Sequence, residues 1–83
     1  MTFYTYIIFS KTKNKYYTGI TNNINNRLKE HNNKKTKTTS VANDWTIVFL
    51  DNFDTRKQAY ILERKIKSTG AKKYLEINNL PVG

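Results

Sequence analysis

Residues 3–20, FYTYIIFSKTKNKYYTGI, decide the reading of this chain. Phe3 to Phe9 are aromatic or β-branched without exception, the composition of a strand. Side chains alternate between the two faces of a strand. Tyr4, Tyr6 and Ile8 therefore share one face, and Phe3, Thr5, Ile7 and Phe9 the other. Both faces are largely apolar, so the strand is expected to be covered on both sides. Residues 11–15, KTKNK, are polar turn material, and YYTGI at 16–20 resumes the strand pattern. Strand, short polar turn and strand together read as a β-hairpin.

Outward from the hairpin, Thr21 or Asn22 is positioned to cap a helix. Ile24 and Leu28 share a face of that helix, and Arg27 and His31 form a second i, i+4 pair bordering it. A polar run from His31 to Ser40 reads as a mobile loop, and the loop extends to about Asp44. WTIVFL at 45–50 is a third strand. Thr55 and Gln58 form a capping box. The helix it opens carries Ala59, Leu62 and Ile66 inward, with Glu63 at the edge of that stripe, and ends at Gly70. AKKYLEINNL supplies a last short helix with Tyr74, Leu75 and Ile77 inward, stopped by Pro81. The order β-β-α-β-α-α predicts an α+β fold: a small three-stranded antiparallel sheet flanked by about three helices.

Composition sets limits. With 83 residues the chain is expected to form one domain, residues 1–83. Zero cysteines exclude disulfide scaffolds, zinc ribbons and thiol catalysis. A single histidine excludes a multi-histidine metal site. No apolar run reaches the roughly 18 residues of a membrane span, and the N-terminus lacks the features of a signal peptide. A cytoplasmic protein is the expectation, with neither a membrane nor a small-molecule cofactor as partner.

Fifteen Lys or Arg against six Asp or Glu leave a net charge of +9. That field favours polyanionic partners: DNA, RNA or an anionic membrane surface. Twelve of the fifteen bases are lysine and eleven residues are asparagine, so part of the charge can reflect an A/T-rich genome. Lys11, Lys13, Lys15, Lys34, Lys35 and Lys37 are the candidate phosphate contacts. Glu63 is one of few acids, in a helix otherwise rich in Lys and Arg; its plainest role is an i, i+4 ion pair with Lys67.

Tyr4-Thr5-Tyr6, then Tyr17-Thr18-Gly19, then Arg27, His31 and Glu63 follow one another at a spacing that resembles the GIY-YIG nucleases, in particular their small stand-alone bacterial branch. The first two letters of GIY are here Tyr4 and Thr5, and the isoleucine of YIG is Thr18. The resemblance covers roughly residues 3–76. It implies a metal-dependent endonuclease that hydrolyses phosphodiester bonds in DNA, single-stranded or branched forms included, with a place in repair or recombination. Tyr6, Tyr17, Arg27, His31 and Glu63 would be the catalytic set. Glu63 would hold Mg²⁺ or Mn²⁺, as a hard oxygen ligand suited to an ion that keeps water and substrate oxygens in its shell. Arg27 would grip the scissile phosphate with its planar fork. Tyr17 would take a proton from water, Tyr6 would hydrogen-bond that water, and His31 would orient Tyr17 or shuttle a proton. Gly19 reads either as a strand bulge or as a close approach of backbone to nucleic acid. Asn78 or Asn79 is the candidate for a family asparagine that follows the glutamate. Charge alone also allows a basic nucleic-acid-binding module without catalysis.

Overall fold

In the computed structural model, which describes residues 1–83, strand β1 (Phe3–Ser10) lies at the centre of the sheet. Strand β2 (Lys15–Thr21) pairs with it antiparallel on one side, and β3 (Trp45–Phe53) antiparallel on the other. Helices α1 (Ile24–Asn32), α2 (Arg56–Thr69) and α3 (Ala71–Ile77) complete the expected order β-β-α-β-α-α. The two apolar faces of β1 explain this placement. On one face Tyr6 and Ile8 pack with Ala42 and Trp45, and α1 adds Ile24 and Leu28. On the other, Ile7 packs with Ile66 of α2 and Leu75 of α3. Burying large apolar side chains on both sides contributes on the order of 2 kcal/mol each, which makes β1 the strand that cannot sit at an edge.

Local chemistry sets the boundaries. The hairpin turn places Asn14 in the left-handed region, at φ 52°, a conformation asparagine tolerates. Asp44 ties that turn to the start of β3. Its carboxylate accepts hydrogen bonds from the Ser10 hydroxyl (2.6 Å), the Thr12 amide (2.9 Å) and the Thr12 hydroxyl (2.7 Å). These donors hold Asp44 down to a pKa of about 2, the Ser10 hydroxyl first among them. In β3, Ile47 opposes Ile8 and Phe49 opposes Ile7, so Val48 is the extra residue of a bulge.

Helix α1 is capped by Asn23, whose side chain accepts from the Asn26 amide at 3.1 Å. This corrects the expected cap, Thr21 or Asn22. Thr21 instead accepts the Asn23 amide, one step earlier in the same turn. The capping box of α2 is formed as expected, with Thr55 and Gln58 bonding each other's backbone. Gly70, at φ 95°, ends α2 in a conformation that a side chain would strain. Ile77 is 63% exposed, against the expectation that it turns inward. Leu75 and Tyr74 fill the space beneath α3, and two residues further round the helix nothing is left to cover. The stretch between α1 and β3 is polar in sequence but tied down in structure. Asn32 both accepts from the Trp45 amide (2.7 Å) and donates to the Trp45 carbonyl (3.0 Å), and the Trp45 indole donates to the Thr39 carbonyl (3.0 Å). No helix is long and apolar enough to cross a membrane.

Candidate active site

The site begins at the pairing of Tyr6 with Gly19. Residues directly opposite in an antiparallel pair project to the same face, so the Tyr6 ring leans outward over the glycine of the edge strand. A Cβ on Gly19 would stand 2.6 Å from the Tyr6 hydroxyl and 2.8 Å from its ring. Both are distances that real Cβ atoms do not show, so Gly19 is the gap through which the Tyr6 hydroxyl reaches the sheet edge. The β1–β2 register runs through Gly19 without interruption, which removes the bulge reading.

Helix α1 brings His31 to the same point. The Tyr6 hydroxyl and His31 Nε2 are 2.8 Å apart, and His31 Nδ1 lies 2.7 Å from the Thr39 hydroxyl. His31 is fully buried. Burial, reinforced by the Arg27 charge, lowers its pKa to about 4, so the ring is neutral at pH 7. A neutral imidazole has one N–H and one bare nitrogen. The Thr39 hydroxyl points at the Thr36 carbonyl, 3.4 Å away, which leaves its oxygen free to accept from Nδ1–H. Nε2 is then the acceptor for the Tyr6 hydroxyl. Tyr6 itself has its pKa pushed up to about 12. Desolvation is the main cause, and it is opposed by the neighbouring Arg27 guanidinium. Tyr6 thus keeps its proton and donates it to His31.

Thr39 is the functional residue that sequence reading missed. It sits in a run of lysines and threonines, and nothing in that run distinguishes it from Thr36 or Thr38. Only the fold, which buries Thr39 against His31, sets it apart.

Tyr17, Arg27 and Glu63 surround this pair. The Tyr17 ring lies 5.0 Å from the His31 ring and 6.4 Å from the Tyr6 ring, centre to centre. Of the two roles the resemblance implied for His31, orienting Tyr17 or shuttling a proton, the geometry gives a ring packed on Tyr17 whose hydrogen bond goes to Tyr6. Arg27 lies one turn before His31 on α1 and donates to Glu30 at 3.1 Å. Its proton is held more tightly than usual, by the Tyr6 hydroxyl first, against the cost of its own partial burial. Glu63 comes from the other face of the sheet. The Thr5 hydroxyl donates to the Ala59 carbonyl at 2.8 Å, which fixes α2 one turn before Glu63. The Glu63 side chain is 14% exposed and lies 3.4 Å from Lys67 Nζ. Its charge is close enough to add to the rise in the Tyr6 pKa. Tyr6, Tyr17, Arg27 and His31 thus lie together at the β2 edge, and Glu63 approaches from α2, near enough for its charge to bear on Tyr6.

The remaining candidates lie elsewhere. Lys11 and Lys13 occupy the hairpin turn, Lys15 starts β2, and Lys34, Lys35 and Lys37 follow α1. All are exposed, and none lines the two grooves that flank the site. Asn78 caps the C-terminal end of α3, donating to the Tyr74 carbonyl, and Asn79 adopts φ 57° beside it. No three His, Cys, Asp or Glu gather to form a metal cage. Glu63 alone fits an ion of the Mg²⁺ type, which takes one carboxylate and completes its shell with water and substrate oxygens. Its partner Lys67 is half exposed, and such pairs are weak enough to be displaced.

The family model of the GIY-YIG catalytic domain matches residues 2–75. Among solved structures, a UPF0213 protein from Bacillus halodurans, determined in solution by NMR, is 27% identical with a TM-score of 0.60. The alignment covers 100% of this chain and 88% of that one. No curated protein matches.

Proposed function

The chain belongs to the GIY-YIG catalytic domain family, and from that premise we propose that residues 1–83 act as one domain, a metal-dependent endonuclease that hydrolyses a phosphodiester bond in DNA. The observation that carries this reading is the cluster of Tyr6, Tyr17, Arg27 and His31 at the Gly19 gap, with Glu63 of α2 near enough for its charge to bear on Tyr6. Glu63 would hold Mg²⁺ or Mn²⁺, which when bound supplies charge stabilisation to the phosphoryl oxygens. Arg27 grips the scissile phosphate as a permanently charged fork. Tyr17, the tyrosine without a hydrogen bond to His31, relays the proton of the attacking water, taking it up as its own hydroxyl proton passes to solvent. Tyr6 and His31 hold each other in one protonation state and fix the floor beneath it. Because Tyr6 keeps its proton to a pKa of about 12, it serves as a hydrogen-bond donor and not as the base.

The cations about the site are suited to phosphates, and phosphate contacts position without specifying sequence. Selection by DNA structure, such as a single strand or a branch, follows from this. Such a preference links the activity to repair or recombination. The test is a panel of labelled single-stranded, duplex, flap and branched DNAs incubated with Mg²⁺ or Mn²⁺. Glu63→Gln and Arg27→Ala are each expected to lower the cleavage rate on the order of a hundredfold or more. Wild-type protein that binds every DNA form and cuts none would replace this reading with a non-catalytic binding module.

A further inference from the structure

Two open grooves flank the site, and they divide β2 between them. One, of about 630 Å³, is lined by Tyr16 to Thr18 together with Lys67, Lys72 and Lys73. The other, of about 310 Å³, is lined by Ile20 and Thr21 with Asn26, Arg56 and the ion pair of Arg27 with Glu30. Gly19 lies between them and belongs to neither. Helix α2 repeats the same division. Arg56, Glu63 and Lys67 are seven and eleven residues apart, which at 100° per residue keeps all three within about 20° of one line along the helix. Arg56 reaches one groove and Lys67 the other, with Glu63 between them. From Arg56 to Lys67 the helix rises about 16 Å, and β2 from Tyr16 to Thr21 spans about 17 Å. Strand and helix therefore run as two rails of equal length, and along the helix rail Arg56 and Lys67 stand at the ends with Glu63 between them.

We propose that this channel is the track for one DNA strand, with Lys67, Lys72 and Lys73 holding phosphates on one side of the scissile bond and Arg56 on the other. The assignment deepens the nuclease reading and rests on it for the position of the scissile phosphate. Cations on both sides of Glu63, with the Glu30 charge already matched by Arg27, suit a polyphosphate chain that approaches a metal-binding carboxylate; a small anionic ligand would need only one of the two grooves. The lysine side has the larger groove and three cations, so it contributes more to binding. These lysines displace the turn and loop lysines as the principal contacts.

The experiment measures binding of a labelled single-stranded DNA in EDTA as a function of salt, with cleavage in Mg²⁺ followed in parallel. Lys72→Ala/Lys73→Ala removes two groove cations at exposed positions of α3, and Arg56→Ala removes the cation at the other end. Lys57→Ala/Lys65→Ala removes two exposed α2 lysines that line neither groove. The groove double variant is expected to bind on the order of tenfold more weakly at 0.1 M salt, with the salt slope reduced by about one per lysine lost. Arg56→Ala is expected to lose affinity with a slope change of about one. The control double variant is expected to keep its slope. Equal losses in the groove and control variants would overturn the track, whether or not the protein cuts. Wild-type protein that shows the groove dependence and cuts nothing would overturn the nuclease reading and leave the track as a binding surface.

Discussion

At the scale of single residues, the site depends on one absent side chain and one buried hydroxyl. Gly19 is required by proximity, not by backbone conformation. Gly19→Ala would drive a methyl to 2.6 Å from the Tyr6 hydroxyl, and that ring is held at its far end by His31. Overpacking of this kind costs about 1–3 kcal/mol. The variant should fold with a lower melting temperature and lose cleavage disproportionately, as the hydroxyl is pushed off His31. Thr39 is the complementary case. Thr39→Val keeps the shape but leaves Nδ1–H of a buried ring without an acceptor, which costs about 1–3 kcal/mol. Thr39→Ser should restore both stability and cleavage, because it restores the acceptor; thermal melts and cleavage rates on the three proteins check this.

At the scale of elements, helix ends were legible where the cap is a side-chain pattern and not where several caps compete. Thr55 and Gln58 define the start of α2 because a threonine followed three residues later by glutamine satisfies two amides at once. Thr55→Ala should lower stability by about 1 kcal/mol, measured by chemical denaturation. At α1 the run Thr21-Asn22-Asn23 offers three capable caps, and the choice of Asn23 follows from where β2 releases the chain. The same contrast holds for faces. The two-sided burial of β1 could be read from its unbroken apolar run, whereas the exposure of Ile77 depends on how much of α3 its neighbours cover. Glu63 shows both cases at once. Its place beside the buried stripe follows from helical spacing. Its proximity to Tyr6, from the opposite face of the sheet, depends on the Thr5 bond that fixes α2 and on the gap at Gly19.

At the scale of the whole molecule, the buried His31 couples folding to pH. Its pKa is about 4 folded and about 6.5 unfolded. Between these values the unfolded chain binds more protons, so stability rises with pH. The contribution is complete above about pH 6.5 and is lost as the pH falls toward 4, by roughly 3 kcal/mol in all. His31→Gln should be less stable at neutral pH and should flatten that slope, a comparison of denaturation midpoints from pH 4 to 7. The net charge of +9 acts at this scale too, drawing in polyanions, but it does not say where they bind. The lysines conspicuous in sequence lie in turns and loops, while those lining the larger groove come from two different helices.

Legible along the chain are the hairpin, the central position of β1, the element order and the family to which the motifs belong. Each of these is a matter of local periodicity, or of motif spacing along the chain. Packing in three dimensions adds that Thr39 fixes the His31 tautomer, that Gly19 makes room for Tyr6, and that Arg56 and Lys67 of α2 line grooves along β2. These are contacts between elements distant in sequence, set by how the helices pack across a sheet whose edge strand is left open.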